Sequence, residues 1–157
     1  MSDPHFSPTG NQLNPYLVVQ DAKAAMAFYE SVFGATTTMT MAMPDGKVGH
    51  AEMVIGDSAL MLADEFPEMG FKAPGAYGGT PVSFCLYVAD VDKVFARAID
   101  AGAKEVRAVT DQFYGDRAGT LVDPFGHVWT LATHQEDLTE AEVQARFNAY
   151  LADQAKA

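Results

Sequence analysis

Cys85 is the only cysteine in 157 residues, which excludes an intrachain disulfide and any metal centre built on a cysteine cluster. That usage suits a reducing compartment, and a cytoplasmic location is the expectation. Basic residues are also scarce. Ten Lys and Arg stand against 21 Asp and Glu, a formal net charge of -11, with no dense basic stretch to neutralise phosphates. Nucleic acid and anionic membrane surfaces are therefore not expected partners. The acidic balance serves solubility and would also draw in cationic ligands. No uncharged apolar run approaches the roughly 18 residues a membrane span requires. The opening MSDPHFSPTGNQ has neither the basic start nor the apolar core of a signal peptide, so residues 1–12 are read as a flexible arm.

What the chain does have is an internal repeat. NPYLVVQDAKAAMAFYESVFGA, from Asn14, starts with an apolar run, reaches Asp21, continues at helix period and closes on Gly34. SFCLYVADVDKVFARAIDAGA, from Ser83, follows the same course through Asp90 to Gly102. Each Asp stands where an N-cap accepts from free backbone amides, and each Gly where a helix stops. Ala25, Met26, Phe28, Tyr29 and Val32, and then Val91, Val94, Phe95, Ala98 and Ile99, recur at the spacing of a helix face packed on a sheet.

Three strand-like stretches follow each helix: 36–43, 49–55 and 58–63 in the first half, 105–112, 117–122 and 127–133 in the second. Turn residues separate them, among them PDG at 44–46 and DPFG at 123–126. The predicted fold is α+β: two βαβββ modules over 13–63 and 83–137, a Pro- and Gly-rich linker over 64–82, and a C-terminal helix over 138–157. Thr139 and Glu142 form a capping box for that helix. Two such modules, each too small to stand alone, are expected to pair their sheets into one curved cleft.

The doubled unit, the FYESVFGA helix ending and the LVDPFGHVWTLA turn and strand resemble the vicinal oxygen chelate superfamily of glyoxalases, bleomycin-resistance proteins and extradiol dioxygenases. YGDRAGTLVDPFGHVWTLATHQED is most similar to its PhnB-like, glyoxalase-related members. The resemblance spans about residues 13 to 137 and implies a glyoxalase-like cleft in a homodimer. Enzymes of that superfamily commonly hold one divalent metal with His, Glu or Gln on the first and last strand of each half. The matching positions here are Asn14, Met61 (or Leu60), Ser83 and Thr130, a poor donor set, so neither metal nor cofactor is expected.

Strand alternation places Asn14, Tyr16, Val18, Ser83, Cys85, Tyr87, Val128, Thr130, Ala132 and His134 toward the cleft, with Trp129 behind the sheet. Tyr114 is read either as closing over a ligand or as capping the sheet edge. Arg117 is read either as a carboxylate or phosphate clamp or as the partner of Asp116 or Asp123 in its own turn. Cys85 is a candidate nucleophile or, with no basic neighbour, inert buried packing. Phe66, Met69, Phe71 and Tyr77 lie on a glycine-hinged segment that would act as a lid or simply cover apolar surface. His127 is assigned a structural role, and His5 lies in the arm.

The leading expectation is a metal-independent small-molecule binding protein of the antibiotic-sequestering type. Its ligand-binding residues would be Asn14, Tyr16, Ser83, Cys85, Tyr87, Tyr114, Arg117 and Thr130. The alternative is a metal-dependent lyase, isomerase or dioxygenase with an unconventional donor set from His50, Glu52 and His134.

Overall fold

The computed structural model describes Ser7 and residues 10–156. His5 and most of the predicted arm lie outside the described residues. Among the described residues, eight strands and three α-helices follow in the predicted order: β1 (Tyr16–Val19), α1 (Ala22–Phe33), β2 (Thr36–Ala42), β3 (Val48–Ile55), β4 (Ser58–Asp64), β5 (Ser83–Tyr87), α2 (Val91–Asp100), β6 (Lys104–Asp111), β7 (Asp116–Val122), β8 (Val128–His134) and α3 (Glu140–Gln154). The fold is two βαβββ modules followed by a helix. Each module makes a four-stranded sheet, ordered β1-β4-β3-β2 and β5-β8-β7-β6. The first strand of each pairs parallel with the last, and the remaining pairs are antiparallel. No helix among the described residues is long and apolar enough to cross a membrane.

Two compact units result: 1–81 with 123–127, and 82–122 with 128–157. The segment read as a linker is thus built into the first unit up to residue 81. It carries two short 3₁₀ turns, Pro67–Met69 and Pro74–Tyr77.

The helices start and stop largely as predicted. Asp21 accepts from the Ala24 amide at 2.9 Å and Asp90 from the Lys93 amide at 3.1 Å. Gly34 ends α1 with φ 70°, a left-handed conformation that glycine adopts without steric penalty. In α2 the capping residue is Ala101, one position before the expected Gly102. Glu142 and Thr139 form the predicted capping box of α3.

In the first unit, α1 buries Ala25, Phe28, Tyr29 and Val32, and Leu17, Val19, Met53 and Leu62 are buried in the sheet. In the second, α2 buries Val91, Val94, Phe95 and Ala98, with Leu121, Trp129 and Leu131 buried in the sheet. Trp129 is therefore core, as alternation predicted, and its ring lies 4.9 Å from that of Phe84.

Two buried carboxylates tie the first unit together. Asp64, at the end of β4, accepts from the Ala22 amide at the start of α1 (2.8 Å) and from the Val48 amide of β3 (2.7 Å). Asp123 accepts from the Phe125 and His127 amides of its own turn (2.9 Å each) and from the Tyr29 hydroxyl of α1 at 2.7 Å. His127 sits in that turn with Nε2 3.0 Å from the Val18 carbonyl, a structural position.

Candidate functional site

Each sheet carries its helix on one face and leaves polar and aromatic side chains on the other. In the first unit that open face centres on Tyr16, 48% exposed. Its hydroxyl lies 2.9 Å from His50 Nδ1, and the two rings stack with centroids 5.5 Å apart. His50 Nε2 lies 3.5 Å from Glu52, whose side chain is buried in the sheet. A neutral imidazole protonated on Nε2 serves both contacts, accepting from the phenol and donating to the carboxylate. Partial burial pushes the Tyr16 phenol above its ordinary pKa.

Beside Tyr16 is a mostly apolar pocket of about 240 Å³, lined by Tyr16, Val18, Met43, Gly49, Ala63, Phe66, Met69 and Phe71, with Asp64 as its one charged residue. The 66–71 turn forms one wall. It is closed by paired hydrogen bonds between the Phe66 and Phe71 backbones, 2.8 and 3.2 Å. A second hollow of about 370 Å³ shares Tyr16 and Val18 and is bounded by Lys72, Tyr77 and His127.

In the second unit, Ser83, Cys85 and Tyr87 are exposed on one face of β5. Cys85 pairs in register with Thr130, whose hydroxyl lies 3.0 Å from that of Thr120. The Tyr87 hydroxyl donates to Asp116 Oδ2 at 2.7 Å, and His134 Nδ1 lies 2.7 Å from Asp116 Oδ1. His134 Nε2 lies 2.9 Å from Asp137. Only an imidazolium can donate to both carboxylates, since a neutral ring carries one N–H.

The hydrogen bonds to Asp137 and then Asp116 accordingly raise the pKa of His134 above 6.5. This bridge is complete below the ordinary imidazole value and is lost as pH rises through the raised one. His134 is expected to titrate above a solvated histidine in NMR spectra of its Cε1 proton, and Asp137→Asn to lower the midpoint. A midpoint at the ordinary value in the unmodified protein would rule the bridge out. The hydrogen bond to Asp116 similarly pushes the Tyr87 phenol up to about 12.

Several sequence expectations change. Cys85 is exposed, contrary to the packed thiol expected, and burial of part of the side chain, with Asp116 nearby, raises its pKa away from the reactive thiolate. Arg117 pairs with neither Asp116 nor Asp123. Those carboxylates are engaged as described, and successive strand residues face opposite ways. Its guanidinium instead binds Asp92 of α2 through two 2.8 Å contacts and Asp111 at 3.1 Å. It thus lies on the helix-bearing side, away from the face of Ser83, Cys85 and Tyr87. Tyr114 sits in the turn before β7, with Phe113 edge-on to its ring at 5.2 Å.

Asn14 precedes β1, and its amide donates to the Asn11 carbonyl at 3.1 Å. With Met61, Ser83 and Thr130 it offers an amide, a thioether and two hydroxyls, a set that does not fit a divalent metal. The unconventional donor set gains no support either. Among the described residues no three His, Cys, Asp or Glu side chains are grouped to hold a metal ion. His50 and Glu52 belong to the first unit with Tyr16, and His134 to the second with Asp116 and Asp137.

Sequence reasoning missed Asp116 as the centre of the second network. Counting outward from the DPFG turn would have found it, because the β7-β8 hairpin pairs Asp116 with His134 in register.

Comparison with known proteins places these modules. The family described as Glyoxalase/Bleomycin resistance protein/Dioxygenase superfamily matches residues 5–131. An uncharacterized protein of Mycobacterium bovis, Mb0911c, is 44% identical over 140 residues, covering 87% of this chain and 92% of its own. Among solved structures, TioX from Micromonospora sp. ML1 is similar at 27% identity and TM-score 0.61, covering 80% of this chain and 99% of its own. The Arabidopsis thaliana At5g48480 gene product is similar at 28% identity and TM-score 0.62, covering 78% and 98%.

Proposed function

The chain belongs to the Glyoxalase/Bleomycin resistance protein/Dioxygenase superfamily, and from that premise we propose that it is a small-molecule binding protein of the antibiotic-sequestering type that works without a metal, as a cytoplasmic homodimer. The observation that carries the reading is the apolar pocket of about 240 Å³ beside Tyr16. Such a pocket, mostly apolar with a few placed polar groups, is the form small-molecule sites take. The donor chemistry of Asn14, Met61, Ser83 and Thr130 supports metal independence. In the first unit Tyr16 anchors the pocket; in the second, Ser83, Cys85, Tyr87 and Thr130 are the residues proposed for ligand contact.

Elemental analysis tests the metal-free part on protein purified without chelators or a histidine tag. The expected result is no stoichiometric metal, before or after incubation with nickel, zinc, manganese and ferrous iron. The thermal midpoint should be indifferent to these ions and to EDTA, because a metal bound only by the native state would raise it. A tightly held divalent ion, removed only by strong chelation with a fall in that midpoint, would overturn the proposal.

A further inference from the structure

The first unit's pocket carries one charged group, and it is an acid. Of the residues lining it, only Tyr16 and Asp64 have polar side chains, and Asp64 is the charged one. The rest of the wall comes from the rings of Tyr16, Phe66 and Phe71, the thioethers of Met43 and Met69, and small or aliphatic residues. An aromatic ring presents a negative face, so rings grouped beside a carboxylate favour positive charge. Phe66 already takes a cation in this way. The Lys47 ammonium, which is not one of the lining groups, lies over its ring, 5.4 Å from the centroid. The net charge of -11 adds to the preference by concentrating cations near the surface.

The polar atoms also select the kind of cation. Asp64 accepts the Ala22 amide at one oxygen and the Val48 amide at the other, and the Tyr16 hydroxyl is engaged by His50. The pocket therefore offers a charge while its side-chain acceptors are committed. A primary ammonium brings three N–H donors, and burying them without partners costs free energy. A quaternary ammonium brings none, and its methyl groups pack against rings and apolar walls. Resting on the reading of this pocket as the ligand site, we propose that its ligand is a small quaternary ammonium compound whose N-methyl groups sit among Tyr16, Phe66 and Phe71. Asp64 supplies the counter-charge through space. The side chain is 6% exposed, so salt screens that attraction less than it would at the surface. The volume of about 240 Å³ limits the ligand to less than drug size.

The test titrates protein carrying ¹³C-methyl methionine with choline, with 3,3-dimethyl-1-butanol, which replaces the charged nitrogen by carbon, and with ethanolamine, the primary ammonium counterpart. The Met43 and Met69 methyl signals report occupancy of the pocket, and Met53, fully buried in the sheet, reports the fold. Choline is expected to bind tighter than the neutral alcohol by about three- to thirty-fold, with ethanolamine weakest. Phe66→Leu, which keeps an apolar wall and removes one ring, should lower choline affinity more than that of the alcohol, with the Met53 signal in place. If the alcohol or ethanolamine binds as tightly as choline, or if Phe66→Leu leaves the ratio of choline to alcohol affinity unaltered, the quaternary-ammonium assignment is wrong while the pocket stands. If none of the three probes moves the Met43 and Met69 signals, the pocket is not a ligand site and the reading beneath the proposal fails with it.

Discussion

Replacing Asp64 with alanine is expected to destabilise the protein by about 3–5 kcal/mol, because two buried backbone amides lose their acceptor and each unsatisfied donor costs roughly 1–3 kcal/mol. The side chain is 6% exposed, and it links the start of α1, the start of β3 and the end of β4. Asp64→Asn keeps one carbonyl oxygen as acceptor and presents an amide to the second N–H, so its cost should be smaller, at about 1–3 kcal/mol. Chemical denaturation of the three proteins, compared at constant m-value, measures both. A loss under about 1 kcal/mol for the alanine variant would mean that the Ala22 and Val48 amides find other partners.

The repeat was legible because each half writes the same local signals in order: an apolar run, an Asp cap, a helix-period face, a glycine stop and hairpin turns. Those signals act over a few residues, so they survive in a single sequence. Three departures have physical causes that local pattern does not carry. Strand alternation carries the first strand back to Asn14, but Pro15 has no N–H with which to continue a ladder, and β1 begins at Tyr16. The pairing therefore opens on the Pro15 carbonyl, which accepts from Met61 N at 2.9 Å.

Arg117 was given partners close in sequence, whereas Asp92 lies 25 residues away and reaches it only because α2 packs on the same sheet. The 64–82 segment read as punctuation from its Pro and Gly content. Its place as a pocket wall depends on Phe66 pairing back to Phe71 and on β1 lying beneath, neither of which has a period to detect. The candidate face was legible in the second unit, where alternation put Ser83, Cys85 and Tyr87 together. It is less so in the first, where only Asn14 and Tyr16 are expected at the ligand and where His50 and Glu52, expected only as alternative metal donors, prove to be the hydrogen-bonded neighbours of Tyr16.

Asp123→Ala is the second substitution expected to cost about 3–5 kcal/mol, for a related reason in a different setting. The carboxylate accepts from the Phe125 and His127 amides, which shape the turn, and from the hydroxyl of Tyr29, whose side chain is fully buried. Turn and helix are thus specified by one residue. Tyr29→Phe deletes the hydroxyl and leaves the turn's two amides satisfied, so it should cost only about 1–2 kcal/mol. The double variant should cost less than the sum, with a coupling of about 1–2 kcal/mol, because the shared hydrogen bond is lost once.

Burial, followed by the adjacent Asp123 charge, holds the Tyr29 phenol well above its ordinary pKa. Tyr29 should therefore stay un-ionised in an alkaline absorbance titration until the unit unfolds. Asp123→Asn separates the two roles: its amide oxygen can still accept within the turn, while the negative charge facing the phenol is gone. Additive costs for Tyr29→Phe and Asp123→Ala would show that the turn folds independently of α1. Coupling of the expected size would mean that the DPFG turn, though it lies in sequence between two strands of the second unit, owes its geometry to the helix of the first.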